Sequence, residues 1–420
     1  MAKKLFLFLL FFVPLYSAVY PQKFSRTLLK ADKFYIKQSY KNAIPYYEKY
    51  LKKHPRDYYA SRQAAICYGK LNNPGMAIDY WPGAIESGEA SDKDMLDYCR
   101  CLLANYRKED AAKVLMMLSK SKDPTVSSWA VAYMNPGSFF VDSALCRVTE
   151  VNGVNTGAHE YCPVVLKERL FYLSDPLKNI RGFTALTDER LINISSSYMA
   201  DSVNFSSNVM FKEFQARNVN GQFCFSPDGT TIYFSMAVYS KDMGIKTRDP
   251  FYRFQLYTAN MTGPTEIKPF RHNNHRYDFM HPSLSKDGTQ LYFVSNQNGS
   301  LGEKDIFVCE WKEGEWGEPK NLGPTINTSG NEVFPHINGE GVLYFSSDGL
   351  PGMGGLDIFY SKQPQPGQFE KARNAGSYMN SQFDDFGIFV LPGGKTGYLS
   401  SNRKNNTDDD IYFFRNDKKQ

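Results

Sequence analysis

A short aromatic strand returns along the second half of this chain at a near-constant interval, and it limits the fold more than any other feature. Leu291-Tyr292-Phe293-Val294-Ser295 comes back as Leu343-Tyr344-Phe345-Ser346-Ser347 and Gly397-Tyr398-Leu399-Ser400-Ser401. Looser copies are Ile232-Tyr233-Phe234-Ser235 and Leu170-Phe171-Tyr172-Leu173-Ser174. Turns precede most copies: Pro227-Asp228-Gly229, Lys286-Asp287-Gly288, Gly339-Glu340-Gly341 and Gly393-Gly394. Asp-Gly pairs between apolar runs are strong hairpin signals, so each copy reads as the return strand of a hairpin. A further strand follows the later copies, at Asp305-Ile306-Phe307, Asp357-Ile358-Phe359 and Asp410-Ile411-Tyr412, spaced 52 (357 − 305) and 53 (410 − 357) residues apart. One such sheet cannot bury both of its faces. Neighbouring sheets must cover it, and the five copies predict five radial blades. In the first copy, residues 175–220 show no clean third strand.

The ends of this region complement each other. Asn327-Thr328, Glu332 and Pro335 open the fourth copy, and Asn155-Thr156, Glu160 and Pro163 repeat that spacing upstream. The stretch from Trp316 to Leu322 reads as an outer strand of the third copy. By analogy Ala144 to Val151 is an outer strand with no earlier blade to join, whereas the last copy lacks one after Asp410-Ile411-Tyr412. The N-terminal strand is therefore expected to close the ring and leave no open edge. Phe225-Ser226-Pro227-Asp228-Gly229-Thr230-Thr231-Ile232-Tyr233-Phe234-Ser235 resembles the signature of TolB-type, WD40-like propellers, and residues 140–416 share the pattern. Asp305, Asp357 and Asp410 recur at one point of the repeat, where a carboxylate is expected to bind backbone amides rather than a metal.

The first third of the chain has a different period. Ala43, Ala77 and Ala111 are 34 residues apart (77 − 43 and 111 − 77), and Tyr47, Trp81 and Leu115 align with them. So do Phe34, Tyr68 and Leu102; Ala31, Ala65 and Cys99; and Tyr50, Ala84 and Leu118. Small residues where two helices touch, with large ones filling the gap, suit antiparallel helix pairs. These columns resemble the tetratricopeptide (TPR) consensus, as three units over 24–121 within a helical segment of 24–135. Pro45 and Pro82 fall inside second helices and are expected to delay or bend them, and Val126 to Tyr133 is expected to cap the array. The TPR resemblance implies a concave face that would carry Tyr35, Tyr59, Arg62, Lys93 and Arg100, a mixed aromatic and basic groove for a peptide or a carboxylate-bearing partner.

Lys+Arg 49 against Asp+Glu 44 leaves a net charge of only +5, which argues against nucleic acid as a partner. Lys3-Lys4 and the apolar run Leu5 to Leu15, followed by Ser17-Ala18, read as a signal peptide over 1–18. No lipid-attachment cysteine stands near that point, and the seven cysteines form no regular framework. His272, His275 and His281, with Asp278, form the one local cluster of metal-ligand types, but their every-third spacing suits neither strand nor helix. Gly352-Met353-Gly354-Gly355 leads into a strand rather than a helix and so lacks the helix N-terminus that holds a phosphate. No catalytic residue, metal site or cofactor is expected.

The fold class expected is thus multidomain, α plus all-β: a TPR-like helical array followed by a five-bladed β-propeller. The order signal, TPR, TolB-like propeller resembles Bacteroidetes envelope proteins, whose PorE-like branch is associated with the type IX secretion machinery. Those relatives carry a lipid-attachment cysteine and an OmpA-like peptidoglycan-binding domain, and neither is expected here. The resemblance implies a non-enzymatic scaffold or adaptor in the periplasm, associated peripherally with the outer membrane, whose partners are outer-membrane or secretion-system proteins. Binding of peptidoglycan stays open, as does the alternative of a glycan- or peptide-binding propeller.

Overall fold

The computed structural model describes residues 25–417 except 37–38, 72, 136, 138–145, 175–192, 211–218, 241, 246–251, 262–265, 366 and 405–407. The expected signal peptide lies outside the described residues. Eight helices come first among the described residues: α1 (Arg26–Ile36), α2 (Tyr40–Leu51), α3 (Tyr58–Lys70), α4 (Pro74–Ala77), α5 (Trp81–Ile85), α6 (Asp92–Ala104), α7 (Lys108–Leu118) and α8 (Pro124–Met134). The aligned small residues are buried, with Ala43, Ala77 and Ala111 all at 0% exposure; Trp81 packs in one core with Ala77 and Ala111, and Tyr47 in another with Ala43. Pro45 leaves α2 unbroken, its ring on the exposed side. Pro82 behaves differently. The single helix expected there is split into α4 and α5 by a turn at 78–80, and Pro82 falls in the first turn of α5, where a missing N–H costs nothing.

Helix starts follow the local chemistry. Ser91 and Asp94 form a reciprocal capping box on α6, and Asp123 caps α8 by accepting from Thr125 N (2.8 Å) and Val126 N (3.3 Å). The expected cap of the array is α8, whose Trp129 and Ala130 are buried against α6 and α7.

Strand β1 (Cys146–Glu150) precedes five antiparallel sheets. Blade I contains β2 (Glu160–Leu166), β3 (Arg169–Ser174), β4 (Asn193–Met199) and β5 (Phe205–Met210). Blade II contains β6 (Val219–Phe225), β7 (Thr231–Tyr239), β8 (Tyr252–Asn260) and β9 (Ile267–Pro269). Blade III contains β10 (Phe279–Leu284), β11 (Gln290–Ser295), β12 (Asp305–Lys312) and the short β13 (Glu315–Trp316) and β14 (Lys320–Asn321). Blade IV contains β15 (Glu332–Ile337), β16 (Val342–Ser347), β17 (Asp357–Lys362) and β18 (Arg373–Asn374). Blade V contains β19 (Asp385–Val390), β20 (Thr396–Ser401) and β21 (Asp410–Asn416), and β1 completes it, with Val148 opposite Phe414. Five-bladed closure through the N-terminal strand is therefore what the fold does. Blade I has a third strand after all: β4 replaces the expected aromatic pattern with Ser195-Ser196-Ser197 and keeps only Ile194 as its buried anchor.

Among the described residues an asparagine clasps four of the five blade junctions, all but the one between blades I and II. Asn327 accepts from Ile306 N (2.9 Å) and donates to Ile306 O (3.0 Å). Asn380 does the same to Ile358 (2.7 and 2.9 Å), and Asn273 to Leu256 (3.0 and 2.7 Å). Asn155, at the start of blade I, holds Ile411 of blade V (2.8 and 2.9 Å) and so seals the ring. The Asn-Thr spacing noted in the sequence is this clasp. It satisfies backbone groups that lie beyond the outer strand's short ladder.

Each first strand carries a bulge whose central residue has a left-handed backbone: Cys162, Gly221, His281, Phe334 and Gly387, with φ from 53° to 80°. First strands are neighbours in the cyclic order β2, β6, β10, β15, β19, β2. His281 stacks on Phe334 (4.0 Å between centroids) and Phe334 packs on Phe386 (4.9 Å), so side chains fill the space where the first strands meet. A Cβ on Gly221 would come within 2.5 Å of the His281 ring, which explains glycine there.

One blade contact carries a pH dependence. Val390 N donates to His336 Nε2 (3.1 Å), and burial lowers the imidazole pKa to about 4 from its ordinary 6.5. Below 6.5 the unfolded chain takes up a proton that the folded one refuses. This stabilisation is complete above 6.5 and is lost as pH falls through about 4. Relative to His336→Gln, whose amide oxygen can accept the same bond, the wild type loses about 1.4 kcal/mol per pH unit across that window, measurable by urea unfolding of both proteins.

Candidate functional site

The helices meet the propeller along α6 and the turn after it. Lys93 Nζ pairs with Glu303 (2.6 Å), which lies in the loop between β11 and β12. Arg100 donates to the carbonyl of Asp348, in the loop between β16 and β17, and lies 3.4 Å from Asp97. Gln382 Nε2 donates to the Tyr106 hydroxyl (2.8 Å) just ahead of β19. Loops of blades III, IV and V thus face the helical unit. Burial pushes the Glu303 carboxyl up, but Lys93 more than reverses this and holds it at about 2. Both partners are about half exposed, at 54% and 49%, so the pair contributes orientation more than stability.

The five expected groove residues divide. Lys93 and Arg100 are engaged with loops of this chain's own propeller. Arg62 Nε is held by Asp94 (2.6 Å), which also caps α6, and the Tyr59 hydroxyl donates to Asp32 (3.0 Å). Tyr35 is half-buried on α1, where burial raises its hydroxyl and Arg62, Lys93 and Glu303 all act on it. Lys93 and Arg100 thus look toward the propeller, while Arg62 and Tyr59 are engaged within the helical unit.

Beside these contacts lies a cavity of about 230 Å³ whose walls come from both domains. Ile66, Trp81, Asp97, Arg100, Leu103 and Trp129 line it from the helices, and Met353, Gly354, Gly355, Gln382, Phe383 and Asp384 from the propeller. Arg100 stands over the Trp129 ring at 5.4 Å. One buried donor of a lining residue, Arg100 Nε, has no hydrogen-bond partner among the described residues, and the Trp81 indole stands against the Cys101 thiol. Burial raises the Asp97 carboxyl and takes that of Asp384 to about 6, the neighbouring Asp409, Asp385 and Asp348 adding to the second shift. The lining thus combines aromatic walls, a guanidinium and two carboxylates. A polypeptide segment, with its carbonyls and one large side chain, satisfies that mixture.

The glycine-rich loop forms one wall and has a structural reason. Asp357 accepts from Met353 N (3.0 and 2.9 Å) and Gly354 N (2.9 Å), so the loop's amides are already spent on a carboxylate. Side chains at Gly354 and Gly355 would collide with Phe383 O and Asp384 Oδ1. Asp305 plays the matching part in blade III, accepting from Leu301 N (2.6 Å) and Gly302 N (3.0 Å). In the histidine cluster, His272 Nε2 is at 3.1 Å from Trp316 O, Asp278 accepts from Phe254 N (3.1 Å) and His281 is stacked on Phe334. The cluster's side chains point to separate tasks, and no group of three metal-ligand side chains converges among the described residues.

No protein-family model and no curated protein matches this chain. Among solved structures it is similar to a TolB protein from Agrobacterium tumefaciens, at 15% identity over 62% of this chain and 78% of that one, with a TM-score of 0.39. It is also similar to a gluconolactonase from Xanthomonas campestris (13% identity, 53% and 65% covered, TM-score 0.32) and a glycosyl hydrolase from Bacteroides ovatus (10% identity, 63% and 90% covered, TM-score 0.35). At these identities the likeness concerns the propeller fold alone.

Proposed function

We propose that this chain is a non-enzymatic binding protein of the bacterial envelope, which grips a segment of a partner protein between its helical unit and its propeller. The observation that carries this reading is the cavity between the two domains, lined by both, with the buried Arg100 Nε beside it left without a partner among the described residues. The export part rests on Lys3-Lys4 and the apolar run that follows. A scaffold role also agrees with the way the repeat's polar residues are used: Asp305, Asp357 and the clasp asparagines all bind backbone. The finer proposal is that the partner is an outer-membrane or secretion-system protein, the type IX machinery first among them.

The test is crosslinking in intact cells through a C-terminal affinity tag, comparing wild type with Ala104→Trp, which fills the cavity from the end of α6. A defined set of envelope proteins should be captured and fall at least about tenfold with the filled cavity, as expected for loss of a central anchor. Equal capture by both proteins would remove the cleft from the account. A second reading, a glycan-binding propeller, is favoured by Trp311, which stands 45% exposed against Trp316 (4.9 Å) at the outer edge of blade III. Capture of polysaccharide alone, lost in Trp311→Ala, would put that reading first.

A further inference from the structure

The charge of this chain is not spread evenly. Residues 25–57 hold nine Lys and Arg against three Asp and Glu, a net charge of +6, while everything else sums to −1 (49 − 9 against 44 − 3). The three acids of this stretch are turned inward. Asp32 accepts from the Tyr47 and Tyr59 hydroxyls (2.7 and 3.0 Å), Glu48 from those of Tyr68 and Tyr80 (2.7 and 2.8 Å), and Asp57 caps α3 through Ala60 N (2.9 Å). The cations are turned outward: Arg26, Lys30, Lys33, Lys41, Lys49, Lys52, Lys53 and Arg56 are all exposed. Spacings of three and four residues put Arg26, Lys30 and Lys33 on one stripe of α1, and Lys49, Lys52 and Lys53 on one stripe at the end of α2. Segregation of this kind needs a reason, since a merely soluble face mixes both signs.

Two apolar side chains stand on the same helical face. Leu29 and Ile36, two turns apart on α1, are 49% and 76% exposed. Cations with interleaved exposed aliphatic side chains are the composition of a helix lying on a lipid headgroup layer, where the aliphatics enter the acyl boundary and the ammonium groups meet phosphates. A nucleic acid would reward the charge but not Leu29 or Ile36. We propose that the α1–α2 hairpin docks on an anionic phospholipid surface, which leaves the side facing the propeller to the protein partner. This inference stands apart from the cleft reading, and either can fail alone.

The experiment is co-sedimentation of the full chain with vesicles of phosphatidylglycerol and phosphatidylcholine, against vesicles of phosphatidylcholine alone. Lys49→Glu/Lys52→Glu/Lys53→Glu is compared with Lys286→Glu/Lys371→Glu/Lys395→Glu, which reverses the same charge at exposed positions of the propeller. The hairpin variant should bind anionic vesicles at least about tenfold more weakly, and added salt should weaken the wild type. The propeller variant should bind like wild type. Leu29→Ser/Ile36→Ser, with no charge change, should weaken binding several-fold, and circular dichroism should confirm that all variants fold. Equal loss in the two charge variants would reduce the effect to net charge and overturn the proposal. So would binding to neutral vesicles as strong as to anionic ones, or a DNA duplex that displaces the chain from vesicles while the Leu29/Ile36 variant binds them normally.

Discussion

Asn327→Ala lowers the unfolding free energy by about 1–3 kcal/mol, since the buried Ile306 N is left without a partner while Ile306 O keeps Leu322 N (3.1 Å). Asn327 is 1% exposed, and alanine cannot reach Ile306 N or Ile306 O. The Asn321 side-chain oxygen loses one of its two donors, Asn327 Nδ2 (2.9 Å), and keeps Gly323 N (2.7 Å). Asn155→Ala should cost a similar amount, and it acts where the ring closes. Its loss frees Ile411 of blade V from the start of blade I, leaving the β1–β21 ladder, Val151 N to Ile411 O (3.2 Å) and Glu160 N to Asp409 O (2.7 Å) to hold the seam. Urea midpoints of the two variants decide the matter. A loss below about 1 kcal/mol in both would mean that the clasps are incidental.

Trp81→Ala is the second large effect, about 3–5 kcal/mol for a buried indole with a cavity left behind. Trp81 is 2% exposed and belongs to the cluster that joins Ala65, Ala77, Leu102, Leu115 and Trp129. Trp81 and Trp129 are the two indoles of that cluster, so losing one should make the helical unit melt well before the propeller. Far-ultraviolet helix signal would then be lost in a first transition, while the packed aromatics of the blades persist to a second. A single transition, shifted as a whole, would show instead that the two domains unfold as one unit.

The blades were legible because their rules are local. Asp228 accepts from Ser226 Oγ (2.5 Å) and Thr230 N (3.0 Å), Asp287 repeats this with Ser285 (2.6 Å) and Thr289 N (3.0 Å), and the glycine that follows takes the positive φ. A turn written in four residues can be read in four residues. Ring closure was legible for a related reason, as a strand surplus at one end matched a deficit at the other. The third strand of blade I escaped because Ser195, Ser196 and Ser197 break the aromatic pattern, although all three are buried and Tyr172 lies against Ser197 (3.2 Å between oxygens). Buried serines look like loop to a hydrophobicity pattern.

The cleft was legible only in part. The TPR resemblance implied a face with Tyr35, Tyr59, Arg62, Lys93 and Arg100, but not that Lys93 and Arg100 would meet propeller loops. Lys93 and Glu303 are 210 residues apart, and no period links them. Trp81 and Trp129 showed up as core residues, which they are, and nothing local announces that both also wall a cavity. Docking between two repeats depends on their relative placement, and that is information no single repeat holds.

The central claim is that a partner segment occupies the space between helices and propeller, and calorimetric titration of the partner recovered by crosslinking tests it most directly. Wild type should bind with a negative heat-capacity change from apolar burial, and Ala104→Trp should bind at least about tenfold more weakly while melting at the same temperature. Unchanged affinity in a folded Ala104→Trp would contradict the claim and place the partner elsewhere on the molecule.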